Sequence, residues 1–393
     1  MVKQWIKKGL KRIALWFPAR KMVLFESNPD FTCNTYPVFL KLREQLPDYK
    51  MVWTITADHA PDSRADGSYR FYGTGLWDRI KAKYYLYFSQ VQIFSNRVLG
   101  KTRPEQICLF LSHGSKTKRT RDTYILGDDV DYVNVQSHFF DDIITYEYNC
   151  TKEKLVYLGY PRCDWLYQSQ EAAADCKARL FGRDDCGFVV WLPTYRKHAR
   201  TQAANQMDTH RYDSIGMPLV YSQEQLSQLD GFLAQRNLHL LFKPHPAQDI
   251  SGLKAADLSH IRILTDDKLA AMGLQLYQVL GASDGLITDY SSVFFDYLLT
   301  DKPIATTTDD IAQWKDMTGF AFDLDTFLDK ATTRVATLEE LENHLENLVA
   351  GQDDKAAGRK EIRELTNTYF DGNSAQRVAD FVIEKLGERN SRR

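Results

Sequence analysis

Short apolar runs separated by helical patterns predict an α/β chain built on parallel, doubly wound sheets. Strand-like runs recur throughout, among them Met22–Glu26 (MVLFE), Lys50–Ala57 (KMVWTITA), Ile107–Leu111 (ICLFL), Gly187–Leu192 (GFVVWL) and Leu238–Phe242 (LHLLF). Helical patterns lie between them, and strand–helix alternation favours a parallel sheet. The 393 residues are enough for two domains of ordinary size. Ligand-type residues follow several of the strand runs directly, where parallel sheets gather their ligands.

Composition narrows the function classes. Hydrophobic residues make up 44% and charged residues 26%, and the formal net charge is −2. No basic field of the kind that holds nucleic acid is present. The six cysteines show no CxxC and no zinc spacing with histidine, so they read as reduced thiols. No run of about 18 apolar residues offers a membrane span, and the N-terminus lacks a signal-peptide pattern. Residues 1–21 nonetheless carry seven basic side chains and no acidic one. Val2, Ile6, Leu10, Ile13 and Phe17 recur at helical spacing with lysines opposite. That pattern predicts a basic amphipathic helix on an anionic membrane surface, although a solvated basic helix would share it.

The remaining elements follow in order. Tyr36–Gln45 and Leu76–Ser89 read as helices, and Val91–Phe94, Asp131–Val135 and Leu155–Tyr157 as strands. These make a first domain over 22–170, with Gln168–Arg183 as the connection. The second domain spans 185–350. It contains a polar loop at Lys197–Pro218, a helix at Gln223–Arg236, a strand at Ile261–Leu264 and helices at Leu274–Gly281 and Leu338–Val349. A C-terminal helix is expected over 360–388.

Ligand-type residues cluster at the strand ends. Ile107–Leu111 runs into Ser112-His113-Gly114-Ser115-Lys116-Thr117, and further basic residues follow. Leu155–Tyr157 leads to Gly159-Tyr160-Pro161-Arg162, Gly187–Leu192 to Pro193-Thr194-Tyr195-Arg196, and Leu238–Phe242 to Lys243-Pro244-His245-Pro246. Gly285–Ile287 leads to a Ser291-Ser292 pair that opens a helix, with Asp296 one turn inside on the same face. Each feature alone also fits an ordinary turn or cap. Together, two histidines, two arginines and a serine-opened helix suit a diphosphate. No Walker loop and no metal-bridging carboxylate pair is found, so no metal site and no cofactor are expected, though Mg2+ is compatible with the chemistry. Leaving-group charge is then expected to be met by helix N–H groups and basic side chains.

These motifs, in this order and spacing, resemble the CDP-glycerol glycerophosphotransferases, the teichoic-acid and capsule polymer primase and polymerase type. The likeness covers about residues 22–345. His113-Gly114 with its following residues, Gly159–Asp164, Pro193–Arg196, Lys243–Pro246, and Ile287–Ser292 with Phe295-Asp296 and Lys302-Pro303 carry it. The resemblance implies a glycosyltransferase-B architecture, two Rossmann-like domains facing a cleft, with the acceptor on the first and the CDP donor on the second. It implies transfer of a polyol phosphate, most simply glycerol phosphate, from CDP-glycerol or CDP-ribitol to a lipid-linked or polymeric acceptor, with release of CMP. His113 is the implied general base, and His245 steadies charge on the transferring phosphate. Gly114, Ser115, Lys116, Thr117, Arg162, Pro193, Thr194, Arg196, Lys243, Pro244, Ser291, Ser292 and Asp296 are the implied donor contacts. The implied place of work is the cytoplasmic face of a bacterial membrane, peripherally bound. Ser115-Lys116-Thr117 departs from the family's usual T-P-L. The chain shows no added glycosyltransferase domain, which suits a single-step or capsule-type enzyme. A nucleotide-sugar glycosyltransferase of the same fold and a non-catalytic scaffold are the competing readings.

Overall fold

The computed structural model describes residues 16–56, 63–70, 75–117, 126–168, 170–194, 215–245, 248, 250, 252–254, 258–317 and 319–391. Their strands are β1 (Arg20–Glu26), β2 (Lys50–Ile55), β3 (Gly67–Arg70), β4 (Ser89–Phe94), β5 (Ile107–Phe110), β6 (Tyr132–Asn134), β7 (Leu155–Val156), β8 (Gly187–Leu192), β9 (Leu238–Phe242), β10 (Ile261–Ile263), β11 (Gly285–Thr288), β12 (Ile304–Thr307) and β13 (Thr333–Val335). Helices α1 (Thr35–Gln45), α2 (Leu76–Phe88), α3 (Asp141–Tyr148), α4 (Gln170–Phe181), α5 (Gln223–Ala234), α6 (Asp266–Ala271), α7 (Leu276–Ala282), α8 (Val293–Tyr297), α9 (Ile311–Met317), α10 (Leu324–Ala331), α11 (Leu338–Val349), α12 (Ala356–Thr366) and α13 (Ser374–Ser391) connect or follow them.

The chain divides into two compact units. Of the described residues, the first unit takes those up to Ser115, those from 126 to Asp164 and those from Asn367 onward. The second takes Lys116, Thr117 and those from Trp165 to Thr366. The first unit holds a sheet of order β3-β2-β1-β4-β5-β6-β7 and the second a sheet of order β10-β9-β8-β11-β12-β13. Every pairing in both is parallel. Central parallel strands are covered on both faces, which is why their sequences are continuously apolar. Val23, Leu24 and Phe25 of β1 are completely buried. Phe25 stacks on Trp53 at 5.3 Å while Phe39 meets both rings edge-on. In the second unit Trp191, Leu240 and Phe242 pack with Leu226 and Leu229 of α5 and Leu341 and Leu345 of α11. Strand order reverses at β1/β4 and at β8/β11. These are the switch points where open α/β sheets leave room for a ligand.

Several expected elements differ from the structure. Gln168–Arg183, taken for a connection, contains α4, which buries Cys176 and Leu180 and belongs to the second unit. The expected single helix at 360–388 is two helices. The Asp371-Gly372-Asn373 turn lies between them, and α12 belongs to the second unit but α13 to the first. Strands β3 and β13 escaped notice because each is a short edge with a single buried side chain, Tyr69 or Val335. The predicted amphipathic helix of residues 1–21 falls almost wholly outside the described residues. Of its apolar series Phe17 is described, and it and the neighbouring Trp16 are exposed.

The return of α13 has identifiable causes. Asp164 accepts from the backbone N–H of Ser374 at 2.8 Å and of Ala375 at 2.7 Å, satisfying two of the orphan donors at the helix start. Gly159 has φ 74°, and a Cβ there would lie 2.4 Å from Ser374 Oγ, so only glycine admits the helix. At the far end Arg389 donates to Pro104 O at 2.6 Å and pairs with Asp131 at 3.2 Å. Asp164→Ala is expected to lower stability by about 2 kcal/mol through two unsatisfied N–H groups. Urea denaturation checks this, and a loss below roughly 0.5 kcal/mol would show that the cap is dispensable.

Candidate functional site

In the first unit, three loops at the carboxyl ends of strands meet. The loop after β5 turns through Ser112 with φ 60° and Gly114 with φ 147°, the latter a conformation reserved for glycine. Between them His113 stands exposed, while Ser112, Gly114 and Ser115 are buried. Ser115 donates to Gln136 Oε1 at 2.5 Å, and Gln136 in turn donates to Asn367 Oδ1. Arg162 follows Gly159-Tyr160-Pro161 as expected, but its guanidinium is not an open fork. It is 6% exposed, donates from Nη1 to the carbonyl of His113 at 2.5 Å, and lies over the Tyr160 ring at 5.5 Å. The loop after β1 contributes Asn34, completely buried, whose amide reaches Ser112 O at 2.9 Å. At the switch point Glu26 Oε2 accepts from Asn96 N at 3.0 Å and Arg97 N at 2.9 Å. Burial pushes its carboxyl above the usual range, against the pull of those N–H groups and Arg97.

In the second unit the loops after β8 and β11 are fastened together. Asp289, 1% exposed, accepts from Thr194 N and from Thr194 Oγ1, each at 2.7 Å. Thr288 Oγ1 donates to Leu192 O at 2.8 Å one residue earlier. Tyr290 is buried, with its hydroxyl on Asp310 at 2.9 Å. Its carbonyl accepts from Thr117 Oγ1 at 2.6 Å, and Thr117 O accepts from Ala321 N at 2.9 Å. The residue beyond the predicted histidine loop is thus built into the turn that precedes Ser291 and Ser292.

The helix that follows this turn is short. Helix α8 has five residues and passes at once into a 3-10 turn at Leu298–Thr300. Ser292 occupies the N-cap without a side-chain bond to the helix, and both serines are half-buried. Phe294 N and Phe295 N are bonded to the carbonyls of Ser291 and Ser292. Asp296 is completely buried and accepts from the Tyr277 hydroxyl, so its carboxylate is engaged inside the unit.

The loop after β9 presents His245 exposed and Pro244 half-buried. Lys243 is turned inward: it is 8% exposed and its ammonium pairs with Asp266 at 2.9 Å. Lys116 is half-buried. Arg196 and Tyr195 lie outside the described residues, as do Lys118, Arg119 and Arg121. Sequence reasoning missed Asn34 and Asp289 as organising residues. Asp289 lies within the Ile287–Ser292 stretch, and Asn34 lies in none of the motifs. Among the described residues no group of three or more His, Cys, Asp or Glu side chains could hold a metal ion.

Two parallel doubly wound units with ligand-type loops at their strand ends define a two-Rossmann α/β protein. The sequence profile of the CDP-Glycerol:Poly(glycerophosphate) glycerophosphotransferase family matches residues 10–384, and the chain belongs to that family. The teichoic acid poly(glycerol phosphate) polymerase of Bacillus subtilis (strain 168) is 25% identical over 340 residues, which are 81% of this chain and 43% of the relative. The chain thus spans less than half the length of that relative. The teichoic acid ribitol-phosphate primase of Bacillus spizizenii is 24% identical over 248 residues, 60% of this chain and 54% of the relative. A solved structure of the wall teichoic acid polymerase TagF superposes with a TM-score of 0.76 at 18% identity, covering 94% of this chain and 90% of that one. That likeness is one of fold.

The Asp289 clamp has a measurable value. Asp289→Ala is expected to cost about 2–4 kcal/mol, because two charge-assisted bonds go and the half-buried Thr194 N–H loses its carboxylate. Thr194→Val keeps the backbone bond and should cost only about 1 kcal/mol. Denaturant titration of both variants checks the difference, and equal losses would refute the clamp.

Proposed function

We propose that this protein transfers glycerol phosphate from CDP-glycerol to a hydroxyl of a lipid-linked or polymeric acceptor, releasing CMP. The observation that carries the reading is the family match over residues 10–384, which contains every ligand-type loop described above. His113 acts as general base: an imidazole is available near pH 7 to take the proton of the acceptor hydroxyl. The freed oxygen attacks the β-phosphorus of the donor, the bond to the bridging oxygen breaks, and CMP leaves with the electron pair. His245, Arg196 and the Ser291-Ser292 turn meet the donor phosphates, with charge balanced by N–H groups and basic side chains and not by a resident metal. The exposure of both histidines at strand ends supports these roles. The inward pairing of Lys243 and the burial of Asp296 make those two supports of the loops.

The test is phosphate bookkeeping. With CDP-glycerol labelled in its β-phosphate, label should move to acceptor as CMP appears. His113→Ala should lower that rate at least ~100-fold and leave thermal protection by CDP-glycerol in place. EDTA should change the rate less than about twofold if no metal takes part. Protection by CDP-ribitol alone would change the polyol, and protection by UDP-glucose or CMP-sialic acid alone would replace the chemistry with glycosyl transfer.

The acceptor reading carries a membrane contact. Among the described residues no helix is long and apolar enough to cross a membrane. Trp16 and Phe17 are 81% and 57% exposed. Helix α2 has no buried residue and shows Leu76, Trp77 and Ile80 to solvent beside Arg79, Lys81 and Lys83. Aromatic and aliphatic side chains interleaved with cations suit an anionic lipid surface. Deleting residues 1–21 should abolish sedimentation with phosphatidylglycerol vesicles, and Trp77→Ala should weaken it. Equal sedimentation of the deletion variant would overturn the surface helix.

A further inference from the structure

His113 is exposed, yet the backbone on both sides of it is fixed from within the unit. The side-chain direction of a residue follows from the two peptide planes that flank its Cα. The plane before His113 ends in Ser112 O, which accepts from Asn34 Nδ2 at 2.9 Å. The plane after it carries His113 O, which accepts from Arg162 Nη1 at 2.5 Å. The two braces are themselves joined, because Asn34 Oδ1 accepts from Arg162 N at 3.2 Å. Asn34 Nδ2 also lies 3.5 Å from Leu111 O. Arg162 is steadied by Cys33 Sγ at 3.6 Å and by the Tyr160 ring.

Asn34 does this instead of its ordinary work. It stands at the N-cap of α1, where asparagine is among the preferred residues, but makes no side-chain bond to that helix. Its amide is turned to the histidine loop. The backbone around it is bent to allow this: Phe31, Cys33 and Ser112 all hold left-handed φ values of 57°, 59° and 60° without being glycine. Such backbone persists only where surrounding contacts over-determine it.

We infer that Asn34 and Arg162 are the positioning pair of His113, Asn34 by joining Ser112 to Arg162 and Arg162 by closing the frame on the His113 carbonyl. The inference rests on the reading of His113 as general base. It moves Arg162 from the donor phosphates to the support of the base. A displacement of the imidazole by about 1 Å can cost on the order of 100-fold in rate.

The experiment is a double-mutant cycle on the full chain with CDP-glycerol and an acceptor. Asn34→Ala and Arg162→Met are each expected to lower kcat about 10- to 100-fold while the Kd for CDP-glycerol stays within about twofold. In a His113→Ala background neither should lower the rate further, since a brace without its base has nothing left to hold. The inference is overturned if either variant multiplies the His113→Ala loss, if the donor Kd rises with the fall in kcat, or if kcat is unchanged. If His113→Ala alone keeps full activity, the general-base reading fails first and the pair with it. Thermal protection by CDP-glycerol shows that each variant is folded. Should Asn34→Ala not fold, Arg162→Met decides alone, because it leaves the Asn34 bonds to Leu111 and Ser112 in place.

Discussion

A parallel strand that stops leaves backbone N–H and C=O groups without a ladder partner, and buried ones must be satisfied. That constraint shapes the strand-end loops of both units. Each unit answers it with a buried acidic or amide side chain that takes groups from a neighbouring loop: Glu26 on Asn96 and Arg97, Asn34 on Ser112 and Arg162, Asp289 on Thr194. The loops that carry His113 and the Ser291-Ser292 turn are held because these side chains cannot let go without stranding polar groups in the interior.

The fold was legible in the sequence because its central strands are buried on both faces. GFVVWL and LHLLF admit no other reading at that length, and β8 and β9 begin and end where those runs do. Edge strands lose that signal. Gly67–Arg70 buries one side chain, and nothing in GSYR announces a strand. The candidate site was legible to the extent that ligand-type residues follow strand runs. What side chains do after leaving the backbone was not. Lys243, Arg162 and Asp296 look alike in sequence to residues that face a ligand, but each is turned inward by a partner far away in the chain: Asp266, the His113 carbonyl and Tyr277. Asn34 and Asp289 show the converse, since they make contacts across 77 or more residues.

Exposure and restraint are divided between side chain and backbone. His113 and His245 face solvent, yet the loop of the first is braced at successive carbonyls and that of the second is stiffened by Pro244. In the proposed reaction each imidazole must meet a diffusing hydroxyl or phosphate and still arrive in one orientation. Fixing the main chain and leaving the ring open meets both requirements.

The membership of α13 in the first unit has a consequence for synthesis. The chain leaves that unit after Ser115, re-enters it, leaves again after Asp164 and comes back only at Asn367. The carboxylate of Asp164 therefore waits through two hundred intervening residues for the Ser374 and Ala375 N–H groups it serves. A ribosome releases domains in order from the N-terminus, but here a sheet that ends at β7 is covered by a helix made about two hundred residues later. A nascent chain stopped anywhere before residue 374 lacks α13 and so holds no finished first unit.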